Sequence, residues 1–261
     1  MVTICLANNK GGVGKSTSAL NIGLALHSLG YRVLLVDCDA QCNLTMAFKG
    51  AISLTPNLGT LLEPNSSVTV AAAIHPIEEG LALLPSSLDV NLLEQYYGTQ
   101  KGSEFLLRKG LGPVSGHYDF CIIDTPPHMS ALLYAALVAS NWVFIPVQPE
   151  RWGYQGLKTL LDACDRTRDY YNPQLQLGGI FFTKYAASYR SRLHRDFVQQ
   201  TRDRFGDADV LQVSIRTNLA LAEAVSLETS IFEYAPDSHG AQDYMELTQA
   251  ILHRVAAVHE H

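Results

Sequence analysis

Short apolar runs alternate with longer stretches of helical periodicity along most of the 261 residues. The runs at 2–7, 32–37, 81–85, 119–124, 142–147, 177–183 and 210–215 are dominated by apolar residues. Such runs suit strands buried on both faces of a sheet. Between them the pattern predicts helices over 14–29, 43–48, 67–74, 87–97, 103–110, 130–139, 154–170, 189–205, 219–225 and 239–258. This alternation predicts an α/β chain, one domain over 1–261, with a mostly parallel, twisted sheet covered by helices on both faces. The segment 50–80, rich in Pro, Asn, Ser and Thr, is the least regular. Near the C-terminus, Leu247, Ile251, Val255 and Val258 fall on one stripe, with Arg254 as the fixed positive charge. A membrane-surface anchor needs a basic face and larger apolar residues, so this stripe predicts core packing.

Hydrophobic residues make up 47% of the chain and charged residues 17%, which places it among globular proteins. The net charge of −6 means that contact with nucleic acid would have to come from a local basic patch. The five cysteines are odd in number, and Cys38 and Cys42 have no second pair at ligand spacing. A disulfide framework or zinc site is not expected, and a reducing cytoplasm fits better. The N-terminus enters a strand directly, with no basic region ahead of an apolar leader. The longest apolar stretch, 131–139, is too short to span a bilayer.

Chemistry concentrates at Lys10-Gly11-Gly12-Val13-Gly14-Lys15-Ser16-Thr17, between the first strand and the first helix. Glycines let the backbone curl so that successive N–H groups face inward, and the following helix adds the positive end of its dipole. This is a phosphate loop in the strand–loop–helix context that such loops require. Lys15 is placed to reach β- and γ-phosphates, the Ser16 hydroxyl to ligate Mg²⁺, and Thr17 to sit near the α-phosphate. The usual leading glycine is Asn9 here, and a second lysine, Lys10, stands at the loop's mouth. From there it is better placed to reach a nucleotide in a facing subunit than its own.

Asp37 and Asp39, two apart at the end of an apolar strand, share one side at the carboxyl edge where open parallel sheets bind ligands. Asp124 ends another apolar strand and should lie at the same edge. Mg²⁺ takes one or two carboxylates, often through water, beside phosphate oxygens, and Asp124 fits that role.

Three motifs together resemble the ParA/MinD family of deviant Walker A ATPases, and most closely its ParA (Soj-like) subgroup. They are the loop 10–16, the segment Asp37-Cys38-Asp39-Ala40-Gln41-Cys42-Asn43, and Asp119-Phe120-Cys121-Ile122-Ile123-Asp124-Thr125-Pro126-Pro127. Ala40 and Cys42 stand where the family usually has Pro and Gly. The resemblance implies a P-loop NTPase fold, ATP and Mg²⁺ as cofactors, and ATP hydrolysis that is slow until stimulated. It implies that Asp39 orients or deprotonates the attacking water, that Asp37 supports the metal shell, and that Lys10 acts in the partner's site. It further implies an ATP-bound homodimer, a ParB-like or other stimulating adaptor, and a cytoplasmic, nucleoid-associated protein that partitions or positions a cargo. The base pocket would lie near Thr183, Lys184 and 216–218.

The densest positive charge is in 189–204, with Arg190, Arg192, Arg195, Arg202 and Arg204 around an apolar stripe of Leu193, Phe197 and Val198. The resemblance implies that Arg190 meets DNA phosphates. The second arginine expected of the subgroup is Ala220 here, with Arg216 nearby. Phosphate contacts would make such binding non-specific and salt-sensitive. Alternatives within the same superfamily are a MinD-like membrane-associated ATPase, a metabolic or reductase enzyme, and a regulator of envelope or polysaccharide synthesis.

Overall fold

The computed structural model describes residues 1–150, 153–189 and 191–257. Eight strands form one sheet in the order β3-β4-β2-β5-β1-β6-β7-β8. They are β1 (Val2–Leu6), β2 (Val33–Asp37), β3 (His75–Glu78), β4 (Leu81–Leu84), β5 (Phe120–Asp124), β6 (Trp142–Val147), β7 (Gln176–Thr183) and β8 (Val210–Ile215). All neighbours pair in parallel except β3, which runs antiparallel to β4 at the sheet's edge. The seven runs read as strands from the pattern are all strands. β3 is the addition: four residues of alternating burial whose Pro76 is tolerable because an edge strand needs fewer ladder donors.

Alternation within each strand feeds two cores. Cys5, Leu34, Val36, Cys121 and Ile123 face one side, and Ile4, Leu6, Val33, Leu35 and Ile122 face the other. The second side is covered by helices α1 (Lys15–Ser28) and α10 (His239–Ala256), whose Ile22, Leu26, Tyr244, Leu247 and Ile251 are buried there. The C-terminal stripe therefore packs into the core as expected, although Val258 lies outside the described residues. The first side is covered by α2 (Leu58–Leu62), α3 (Val90–Tyr97), α4 (Leu106–Leu111), α5 (Ala131–Ala139), α6 (Gly153–Tyr170) and α7 (Arg192–Phe205). Two shorter helices, α8 (Leu219–Ser226) and α9 (Ile231–Tyr234), lie between β8 and α10.

Two expected helices contract. Those at 43–48 and 67–74 become single 3₁₀ turns at Thr45–Ala47 and Ala71–Ala73. The pattern missed α2, a five-residue helix fixed by a reciprocal Asn57–Thr60 capping box, and the four-residue α9. The register positions the site. Asp124 pairs with Leu6 on one side and Asp37 on the other, so β1, β5 and β2 end level at the carboxyl edge.

Candidate nucleotide site

The loop after β1 crosses this edge with Gly12 at φ +74° and Gly14 at φ +88°. Side-chained residues rarely adopt either conformation. The loop is fastened from the end of β7: the Thr183 hydroxyl donates to the Val13 carbonyl at 2.9 Å, and Lys184 Nζ to the Gly12 carbonyl at 3.3 Å. Lys15 folds back with Nζ 3.2 Å from the Lys10 carbonyl and is only 6% exposed. Burial pulls its ammonium below the usual lysine range, against the opposing pull of Asp124 and Asp39.

The loop forms one wall of a cleft of about 410 Å³, with Lys15, Ser16, Asp39, Asn43, Pro127 and Lys184 around it. A second cleft of about 540 Å³ adjoins it through Gly14, Thr17, Lys184 and Val225, and continues along Ile215–Ala222 to Tyr244. The first offers cations, a hydroxyl and amides to anionic oxygens. The second offers mostly apolar walls. Together they have the shape of a phosphate end and a base end.

The three acids separate in role. Asp124 is fully buried, and neither of its carboxylate oxygens has a hydrogen-bond partner. Burial pushes its carboxyl well above the ordinary range, the Asp37 charge adds to this, and Ser16 and Lys15 oppose it. A buried carboxylate without hydrogen-bond donors favours a cation beside it. With the Ser16 hydroxyl beside it, the donor set is all oxygen, which suits a hard divalent ion such as Mg²⁺. Asp39 lines the cleft, with Oδ1 accepting the Gln41 N–H at 3.0 Å.

Asp37 is spent on the loop that follows it. Its Oδ2 accepts both the N–H and the hydroxyl of Thr45, at 2.8 and 2.7 Å, and Oδ1 accepts the Asp39 N–H at 3.0 Å. Thr45 Oγ1 in turn accepts the Ser86 N–H at 2.9 Å. Burial raises the Asp37 carboxyl to about 6, held back by these bonds. Asp37, expected to support the metal shell, thus also organises the loop that carries Asp39. Thr45 was invisible in the pattern, because nothing in its spacing ties it to Asp37.

Lys10 turns away from the cleft and forms an ion pair with Glu150, each side chain remaining about two-fifths exposed. On α7, the Arg192 side chain is 89% exposed, its Nε 3.7 Å from Asp196, and Arg195 donates to the Tyr189 carbonyl at 3.3 Å. Phe197 and Val198 are buried as the stripe implied, but Leu193 is half-exposed. Arg190 lies outside the described residues. Arg216, also expected at a DNA contact, follows β8. Its guanidinium grips the buried Asp243 through Nη2 at 2.6 Å and Nε at 3.0 Å, and it walls the second cleft. That ion pair compensates the charge that suggested a DNA contact.

A glycine-built anion cradle at the carboxyl edge of a mostly parallel sheet, with a lysine inside it and a buried carboxylate behind, defines a P-loop nucleotide-binding protein. A family model described as an AAA domain matches residues 1–177. The chain is 36% identical over 252 residues to the chromosome-partitioning ATPase Soj of Treponema pallidum, covering 97% of each. It is 32% identical over 255 residues to the chromosome partitioning protein ParA of Caulobacter vibrioides, covering 96% of this chain and 94% of that one. Among solved structures it resembles a cobyrinic acid a,c-diamide synthase from Mycobacterium smegmatis with bound ATP analogue and magnesium, with a TM-score of 0.81 and 30% identity over 97% of this chain and 94% of that one. The chain belongs to the Soj/ParA family of P-loop partitioning ATPases.

Proposed function

We propose that this protein is a Mg·ATP-dependent ATPase that closes into a homodimer, holds DNA through its phosphates in that state, and partitions or positions a cargo along the nucleoid. The whole chain acts as one domain, in the cytoplasm, and an adaptor protein stimulates hydrolysis. The observation that carries the reading is the phosphate cleft, in which Lys15 and Asp39 face the space behind which Asp124 stands unpartnered. The higher identity to Soj, 36% against 30% to the diamide synthase, favours partitioning over ligase chemistry.

Phosphoryl transfer asks the protein mainly for positioning and charge neutralisation. The loop amides and Lys15 hold the phosphate oxygens. Ser16 and Asp124 would hold Mg²⁺, which would supply charge neutralisation. Asp39 orients the attacking water and accepts its proton. Asp37, through Thr45 and the Asp39 amide, keeps that residue in place. In the dimer Lys10 exchanges Glu150 for the partner's phosphates, so its positive charge acts where negative charge gathers in the transition state. Arg190, Arg192 and Arg195 present the DNA-binding face. Among the described residues no helix is long and apolar enough to cross a membrane.

Retention on duplex DNA of arbitrary sequence, measured with ATP and with ADP over a range of salt, tests this reading. Retention should require ATP and weaken steeply with salt. The double variant Arg192→Ala, Arg195→Ala should lower the log–log salt slope by about one for each DNA phosphate no longer neutralised, with ATP binding retained. Equal retention with ADP, or an unchanged slope, would contradict it.

A further inference from the structure

Glu94 is the single carboxylate of α3, and it is turned inward. Leu92 and Tyr96 on the same short helix are exposed, whereas Glu94 is 7% exposed. Its Oε1 accepts the Leu132 N–H at 2.7 Å, in the first turn of α5. Its Oε2 lies 3.8 Å from His128 Nε2. Helix N-termini carry N–H groups without intrahelical partners and favour a negative charge. Ser130 already caps α5 by accepting the Leu133 N–H at 3.2 Å, so Glu94 adds a second anchor from another helix.

The segment so anchored runs from Asp124 to α5. At its start the Thr125 hydroxyl donates to the Leu6 carbonyl at 2.8 Å, tying it to the strand that leads into the phosphate loop. In its middle, Pro127 walls the phosphate cleft, 3.9 Å from where a β-carbon on Gly11 would stand. At its end stand His128 and the Glu94-held turn. The segment is therefore pinned at both ends, and its middle forms part of the wall of the cleft. Burying a carboxylate is costly unless its hydrogen bonds are made, and Glu94 makes one of them to this turn.

We propose that Glu94 is a positioning residue for ATP hydrolysis, holding the 125–131 segment so that Pro127 keeps the cleft wall in register with Lys15 and Asp39. The proposal rests on the nucleotide reading above. Small misplacements at a reacting centre cost rate more than binding, so the effect falls on kcat.

The test compares kcat and KM for ATP, and hydrogen exchange across 128–134, in wild type, Glu94→Ala and Glu94→Gln. Glu94→Ala should lower kcat about tenfold with KM within about twofold, and the amides at the start of α5 should exchange faster. Glu94→Gln keeps an acceptor for the Leu132 N–H and should recover most of the loss. If Glu94→Ala does not fold, Glu94→Asp, one methylene too short to reach that amide, carries the same expectation. Hydrolysis unchanged in Glu94→Ala overturns the assignment to Glu94 alone. So does a KM that rises in step with the fall in rate, or a Glu94→Gln as impaired as the alanine variant. A wild type that neither binds nor hydrolyses Mg·ATP overturns the nucleotide reading and this inference with it.

Discussion

Asp37 and Asp124 end neighbouring strands, are both fully buried, and stand opposite one another in the register, yet their oxygens meet different fates. Asp37 is satisfied by Thr45 and the Asp39 amide, whereas neither Asp124 oxygen has a hydrogen-bond partner. Thr45→Val keeps the side chain's shape and removes the hydroxyl from both Asp37 and Ser86. It should destabilise the protein by about 1–3 kcal/mol in chemical denaturation, because a buried carboxylate loses a donor. The pH dependence has a definite sign. The Asp37 carboxyl is raised to about 6, so what it contributes to stability is present below its unfolded value of 3.8 and lost as pH rises through about 6. Without the Thr45 hydroxyl the carboxyl should rise further, moving the upper end of that window upward. Denaturation from pH 3 to 8 checks this, and an unshifted window would contradict it. At this scale the sequence made the acids legible as a set but not the different hydrogen-bond partners the fold gives them. Two carboxylates closing two apolar strands read alike until a threonine eight positions away is folded against one of them. Arg216 shows the same limit, its charge claimed by Asp243, 27 positions on.

At the scale of elements, α1 lies close on β2 because residue 23 is glycine. A β-carbon there would come 2.4 Å from Leu35 Cδ2, in a core where Leu35 has no exposed surface. Glycine inside a helix costs about 1 kcal/mol against alanine, so propensity alone predicts that Gly23→Ala stabilises. Packing should win. The substitution should destabilise by about 1–3 kcal/mol, seen as a lower urea midpoint at unchanged slope, since overfilling a dense core forces strain. A raised midpoint would show that the helix can move away. Strands buried on both faces were legible to within a residue or two, because an unbroken apolar run leaves little alternative. The pattern did not reveal β3, which is short, alternates in burial and contains Pro76, nor α2, which is held by a capping box rather than an apolar stripe. It also read 67–74 as a helix where only one 3₁₀ turn forms.

At the scale of the whole molecule, the site is assembled by strand order. β1 lies between β5 and β6, and β2 beyond β5, so the phosphate loop, Asp39 and Asp124 converge on one edge from separations of up to about a hundred residues. The loop itself was legible because its glycines, lysine and flanking elements are contiguous. The wall that Lys184 and Pro127 contribute was legible only through the family resemblance, since the fold alone brings 127 and 184 to residues 11–17. The surface follows the same rule. A chain of net charge −6 gathers arginines on α7, and Lys10 is held by Glu150 of its own chain. All of this depends on triphosphate and magnesium entering the cleft where Lys15 is buried. The most direct measurement is calorimetric titration of ATP with Mg²⁺ into wild type and Lys15→Ala. The wild type should bind one nucleotide per chain, and the variant should bind about 100-fold more weakly or worse, because no ammonium then meets the phosphates inside the cradle. Equal affinity in the two proteins, or no uptake by the wild type, would contradict the account.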